Sequence, residues 1–218
     1  MRISALARLS GTTIPAIRSY ESAGLLDCGR LKAGFRDFGE GALEQVRLIL
    51  ACRSLKWTFA EIRNLMDQLK LPEHERSLPQ LSDLAEQLRR LKLLKTRMAT
   101  GSLEPLPIEE DRLLKIGQLA EQTGLTRGTL DSLVNSDLLP CVRRPSGYRD
   151  FPPSSIEQVD LILALRSLGY TIAQTRTSMS GPLTLAQQTE LNGLIDQRRS
   201  SLIRLNEILQ EADSSEGL

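Results

Sequence analysis

Histidine is almost missing from this chain: one residue, His74, in 218. Imidazole is the usual proton shuttle and the commonest metal ligand, so a lone histidine in a polar stretch between Pro72 and Pro79 argues against both roles. Cysteine is nearly as scarce. Cys28, Cys52 and Cys141 have no paired spacing, which speaks against a disulfide framework, and none sits in a zinc-ligand pattern. They read as structural thiols, with no metal site expected. No apolar run approaches the ~20 residues needed to cross a bilayer. The start, Met1-Arg2-Ile3-Ser4, leads into a patterned helix rather than a signal segment. The expectation is a cytoplasmic protein with no membrane partner. Nucleophile motifs and glycine-rich phosphate loops are lacking too, so no catalytic residue and no cofactor is expected, and the chain reads as a non-enzyme.

Aromatic residues make up only 4% of the chain. All eight (Tyr20, Phe35, Phe38, Trp57, Phe59, Tyr148, Phe151 and Tyr170) fall in 1–71 or 113–182, which leaves 72–112 and 183–218 without any. A separate aromatic-walled ligand domain in those tails is thereby excluded. Net charge of one sign is lacking as well, at +1 overall. The distribution is uneven: residues 1–70 hold 11 Lys+Arg against 7 Asp+Glu, and residues 113–181 hold 7 against 6. The tilt of the first region toward polyanions is mild and carries no conclusion alone.

What the chain does have is a repeat. The first seventy residues recur 113 positions later without a gap. Ile3-x-x-Leu6-Ala7 returns as Ile116-x-x-Leu119-Ala120, and Gly34-Phe35-Arg36-Asp37-Phe38 returns as Gly147-Tyr148-Arg149-Asp150-Phe151. Glu44-Gln45-Val46 to Ser54-Leu55 returns as Glu157-Gln158-Val159 to Ser167-Leu168. Polar turn positions match along with core positions, which coincident helical periodicity would not produce. The chain is a tandem duplication. The division is a first module over 1–71, a linker and amphipathic helix over 72–112, a second and diverged module over 113–182, and a C-terminal amphipathic helix and tail over 183–218.

Within each module the pattern predicts helix, tight turn, helix, hairpin, then a helix pair. Ile3 to Ser10 is a short amphipathic stretch broken at Gly11. Thr12 or Thr13 can cap the second helix, with Pro15 tolerated in its first turn. Leu25 to Phe38 has no helical period and suits a β-hairpin wing. Thr58 and Glu61 form a capping-box pattern for the fourth helix. Leu81, Leu84, Leu88, Leu91, Leu94 and Met98 make a seam for pairing with another helix, as do Leu191, Ile195, Leu202, Leu205 and Leu209, where Arg198 interrupts. The fold class is mainly α: tandem winged helix-turn-helix domains with small β-hairpin wings, each followed by a long amphipathic helix.

Arg18-Ser19-Tyr20-Glu21-x-x-Gly24-Leu25-Leu26, followed by the basic hairpin, resembles the MerR family of bacterial transcription regulators. That family has an aromatic where Ser19 stands. The resemblance implies a second helix set in the major groove, wings on the flanking backbone, and dimerisation through a long helix. It also implies a promoter DNA partner, RNA polymerase as a further partner, and reading of DNA deformability. The residues suit that role: Arg18 to a guanine edge or a phosphate, Thr13 and Tyr20 to phosphate oxygens, and Arg30, Lys32 and Arg36 on the wing to the backbone. Other roles are open to some of them. Tyr20 can pack between helices, Arg36 can pair with Glu21 or Asp37, and Lys32 can be a solvated loop charge.

The second copy differs where DNA contact is expected. Arg18 becomes Asp131, Tyr20 becomes Leu133, Glu21 becomes Val134 and Gly24 becomes Asp137. A carboxylate on that face is repelled by phosphates, and Leu133 and Val134 suggest a greasier surface. The wing keeps Arg143, Arg144, Tyr148 and Arg149, and Arg127 can still reach backbone. Two readings stand: a module repurposed for interaction or effector sensing, or a weaker half-site reader that makes one chain a pseudo-dimer. A homodimer is the default for the family. A different class of function, sequestration of a small molecule such as an antibiotic on the duplicated fold, predicts ligand binding without essential DNA binding. Its pocket would lie between the modules, near Trp57 or Tyr170.

Overall fold

The computed structural model describes residues 1–30, 36–39, 41–71, 79–106, 113–145 and 147–214, with backbone alone at 30, 79–82 and 212–214. The chain divides into two compact units, Met1–Leu84 with Arg198–Leu218, and Ala85–Gln197.

In the first unit, α1 (Ile3–Ser10) ends at Gly11, whose φ of 69° needs no Cβ. Thr13 then caps α2 (Ile14–Ser22), accepting from the Ala16 amide at 3.3 Å, with Pro15 in the first turn. The wing follows as β1 (Gly29–Arg30) antiparallel to β2 (Arg36–Asp37). Next come α3 (Ala42–Ser54) and α4 (Phe59–Leu69). The capping box at α4 forms as its residue types require: the Thr58 amide donates to the Glu61 carboxylate at 2.6 Å, and the Glu61 amide donates to the Thr58 hydroxyl at 3.3 Å. Leu6, Ile17, Phe38, Val46, Ile49, Ile62 and Leu65 are fully enclosed and form one core.

The second unit repeats this order: α6 (Ile116–Thr123), α7 (Arg127–Asn135), β4 (Val142–Arg143), β5 (Arg149–Phe151), α8 (Ser154–Ser167) and α9 (Ile172–Met179). A short strand β3 (Leu114–Lys115) adds to the wing, giving the order β3-β5-β4. Caps repeat too: Thr126 stands for Thr13, and the Thr171–Gln174 box for Thr58–Glu61. The core does not repeat in full. Ile62 and Leu65 have Thr175 and Ser178 as counterparts, both buried.

Two long helices complete the units: α5 (Pro79–Ala99) and α10 (Leu185–Ser214). Most of α5 belongs to the unit of the second module, and the last part of α10 to the unit of the first. In the second unit, Arg89 and Arg90 of α5 hold Asp160 of α8 at 2.5 and 3.0 Å, while Arg97 reaches Glu157 at 3.4 Å. There α5 runs antiparallel to α10: Lys95 pairs with Asp196 at 2.7 Å, and the Leu183 amide donates to the Gly101 carbonyl at 3.2 Å. Leu103, in the stretch expected to be linker, is fully buried. In the first unit, the Arg198 guanidinium donates to the Leu55 carbonyl at 3.1 Å, the C-cap of α3. The interruption in the C-terminal seam is thus a cation set on a helix C-terminus, and burial pulls its pKa down, with Asp83 opposing. Leu84, Leu91, Leu94, Met98, Leu191, Ile195, Leu202, Leu205 and Leu209 are all buried within the single chain. Among the described residues, no helix is long and apolar enough to cross a membrane.

Candidate nucleic-acid interface

In the first copy, α2 turns two faces to different tasks. Ile17 and Tyr20 point inward, and Arg18 and Ser19 are exposed. Tyr20 is only 7% exposed and meets Phe59 edge to face, ring centroids 6.0 Å apart. Arg53 lies over the other aromatic partner, 5.1 Å from the Phe59 centroid, and donates to the Trp57 carbonyl at 2.6 Å. Tyr20 therefore holds α2 against α4, the packing role that its ring permits. Arg63 secures the far end of α2 through the Ala23 carbonyl.

Wing and helix are joined by one ion pair. The Arg36 Nε donates to both Glu21 oxygens, at 3.1 and 2.8 Å. Strand register sets Arg30 opposite Arg36. Like charges across a ladder destabilise it, and Glu21 offsets one of them. Arg18, one helical turn before Glu21, makes no described hydrogen bond or ion pair and projects outward. Thr13 spends one lone pair on its cap. Lys32 and Phe35 lie outside the described residues, and of Arg30 only the backbone is described.

The second copy rebuilds the same junction with different residues. Arg149, counterpart of Arg36, donates to Asp131 at 2.5 Å and to Asn135 at 3.3 Å. Register again sets two arginines opposite, Arg143 and Arg149. Asp131 occupies the place of Arg18, so the carboxylate has moved one helical turn and kept its arginine. The carboxylate expected on that face is present and pairs with the wing arginine, with 45% of its side chain still exposed. The greasier surface is corrected for Leu133, which is 7% exposed and packs inside its own module as Tyr20 does. Val134 is half-buried. Arg144 is bound through its Nε to the buried Asp150, leaving Arg143 and Arg127 exposed and Tyr148 75% exposed.

A cleft of about 750 Å³ opens between α6, the start of α7 and this wing, with Lys115, Arg127, Arg144 and Arg149 on its walls. Trp57 and Tyr170 do not line it. Each sits half-buried in the turn before the last helix of its module, and burial raises the Tyr170 pKa, with Glu190 adding to the effect. Arg166 donates to the Tyr170 carbonyl at 2.5 Å, as Arg53 does to that of Trp57. Among the described residues, no group of three or more His, Cys, Asp and Glu could hold a metal. Cys52 is buried, which pushes its thiol up to about 12. Cys28 and Cys141 are half-buried free thiols.

Glu21, which the sequence offers as one of two partners for Arg36, holds the wing, and Asp131 is its unforeseen counterpart in the second copy. The signal was present: across the repeat a carboxylate leaves position 21 and enters position 18, while the wing arginine stays.

A family model described as MerR HTH family regulatory protein matches residues 1–69 and again 114–181. The nodulation protein NolA of Bradyrhizobium elkanii is 37% identical over 75 residues, 34% of this chain and 34% of its own length. An HTH-type transcriptional regulator ZntR homolog of Haemophilus influenzae is 37% identical over 68 residues, 31% of this chain and 50% of its own. The match thus spans a third to a half of these relatives.

Proposed function

The chain belongs to the MerR HTH family of regulatory proteins, and on that premise we propose that it is a sequence-specific transcriptional regulator whose first copy is the principal DNA reader. The observation that carries this reading is the division of labour on α2. Glu21 holds the wing arginine, so Arg18 stands exposed and unengaged on the helix that would enter the major groove. In the second copy the same position is an aspartate committed to its own wing. The second copy is then a repurposed module that senses an effector, with its remaining basic wing residues near DNA backbone. Thr13, Arg30, Lys32 and Arg36 are proposed to position the first copy on phosphates. The working division remains 1–71, 72–112, 113–182 and 183–218, with promoter DNA and RNA polymerase as partners.

A second element of the reading concerns assembly. Of the described seam residues of the two long helices, all but the half-buried Leu88 are buried within one chain, which supports an intrachain pseudo-dimer in place of a two-chain coiled coil. Sedimentation should then give a species near 24.2 kDa. A mass twice that would overturn this element alone.

Selection of bound duplexes from a random pool, followed by titration at two salt concentrations, tests the whole reading. An enriched asymmetric site whose affinity drops with Arg18→Ala is expected. No enriched site, or binding indifferent to Arg18→Ala, would sink the regulator and favour small-molecule sequestration.

A further inference from the structure

Differences between the copies run through the whole second module, and one group of them lies on a cleft. Ser4, Arg8 and Ile14 of the first copy become Gly117, Glu121 and Arg127, and Leu31 and Phe35 become Arg144 and Tyr148. Features that a shared DNA-binding role needs would be kept in both copies, as the caps and the wing arginine are. Among the cleft residues, Gly117, Arg127 and Arg144 have no chemical counterpart in the first copy, which points to a ligand that this copy takes.

The chemistry of the walls identifies its class. Lys115 and Arg127 face the cleft, and among the described residues no carboxylate pairs with either. Arg144 engages Asp150 through Nε, and Arg149 reaches Asp131 and Asn135 through its two Nη groups, so further donors remain on both. The fork of a guanidinium matches phosphate and carboxylate oxygens. Gly117 contributes by lacking a side chain: a Cβ there would stand 3.1 Å from an Arg127 Nη, so the guanidinium lies against the first turn of α6. Tyr148, 75% exposed, presents a bare ring at the rim, where an aromatic ring or a stacked guanidinium would cover it. The size, about 750 Å³, is that of a small-molecule site. Of the two carboxylates in the same wall, Asp150 is buried and engaged by Arg144, while Glu121 is exposed.

We propose that this cleft binds a small organic anion in which a phosphate or carboxylate is joined to an aromatic ring. The proposal deepens the reading of the second copy as the sensing module. Its primary readout is a small-molecule titration at residues of the second copy, so its failure is distinguishable from failure of the first copy to read a duplex.

The experiment is an amide-resolved NMR titration of the full chain with phenyl phosphate and, in parallel, inorganic phosphate. Saturable shifts at Gly117, Arg127 and Tyr148 are expected with phenyl phosphate, at higher affinity than with inorganic phosphate. Arg127→Ile, which installs the first copy's residue, should weaken binding about tenfold. Tyr148→Ala should erase the preference for the phenyl compound, and at so exposed a position it tests the site even if Arg127→Ile fails to fold. The amide spectrum reports the fold of each variant directly. No saturable shift, equal affinity for the two probes, or an unchanged Arg127→Ile would overturn the proposal. Displacement of phenyl phosphate by a random-sequence duplex would overturn it too, by assigning the cleft to DNA backbone.

Discussion

In the first copy the carboxylate that holds the wing arginine is Glu21; in the second it is Asp131, three residues earlier in the repeat. Positions three apart lie on one face of a helix, so either residue can reach the same guanidinium. The contact survives duplication while its residue migrates. What the migration decides is the side chain left over. Keeping the carboxylate at the later turn frees the earlier one for Arg18. Moving it forward consumes the reading position and leaves Val134 behind. Two modules with matching caps and wing hairpins thus differ at the middle of the second helix, which carries Arg18 in α2 and Asp131 in α7.

The helix pairs after the wing differ as well. α4 buries Ile62 and Leu65, where α9 buries Thr175 and Ser178. The second module gives up that apolar burial and is held by charge instead, Asp160 between Arg89 and Arg90. The first module has Arg47 at the position of Asp160, exposed. Among the points where the copies differ, Asp160→Ala should therefore be the most damaging substitution. Removing one member of a buried pair costs ~3–5 kcal/mol, and because Arg89 is half exposed and can rehydrate, about 2–4 kcal/mol is expected. Arg47→Ala should stay within about 0.5 kcal/mol. Urea unfolding of both variants checks this. Equal midpoints would mean that the charge cluster does not replace the missing apolar contacts.

The next effect in size is on DNA. Arg18→Ala should cost about 1–3 kcal/mol of binding at the selected site, read as anisotropy at constant salt. Asp131→Ala should cost nothing there, since it removes only a partner of Arg149. The double change Asp131→Arg with Val134→Glu sharpens the contrast, because it writes the first copy's arrangement into the second and should add affinity. Asp131→Ala weakening binding as much as Arg18→Ala would break the comparison.

Much of this was legible before the structure. The repeat set the architecture, and the caps at Thr13 and Thr58 follow from short-range rules linking residues three apart. The wing was legible from lost helical period and paired glycines. Less legible was the exchange of tails, by which α5 serves the second module's unit and the end of α10 the first. Seam periodicity marks the face a helix buries, but Arg90 and Asp160 are 70 residues apart, and no local pattern joins them. The roles of Tyr20 and Arg36 stayed open for a related reason: an aromatic or an arginine suits a phosphate and a protein neighbour equally, and only packing decides. The pairing of the aspartate at 131 was missed because its charge was weighed without its partner across the hairpin.

The smallest test concerns the turn after the second helix. Gly24 has φ of 69° and its counterpart Asp137 has φ of 54°. The hydrogen bonds match: the Leu25 amide donates to the Tyr20 carbonyl at 2.9 Å and the Leu138 amide to that of Leu133 at 3.0 Å. The backbone is the same, so the second copy bears a side chain where the first has none. A left-handed conformation costs most L residues ~1–2 kcal/mol, less for Asp. At Gly24 a Cβ would meet only the Arg63 Nη2, at an ordinary 3.7 Å, so Gly24→Ala loses conformational energy without a clash, partly offset by a stiffer unfolded chain. A net loss near 1 kcal/mol is expected, a fall in Tm of roughly 2–4 °C for a chain of this size. Asp137→Gly should move the other way by about half as much, because relief of the left-handed strain outweighs the added freedom of the unfolded chain. A fall in Tm with Asp137→Gly would show that the aspartate side chain stabilises the turn it distorts, and the two turns would then be alike in backbone but not in what maintains them.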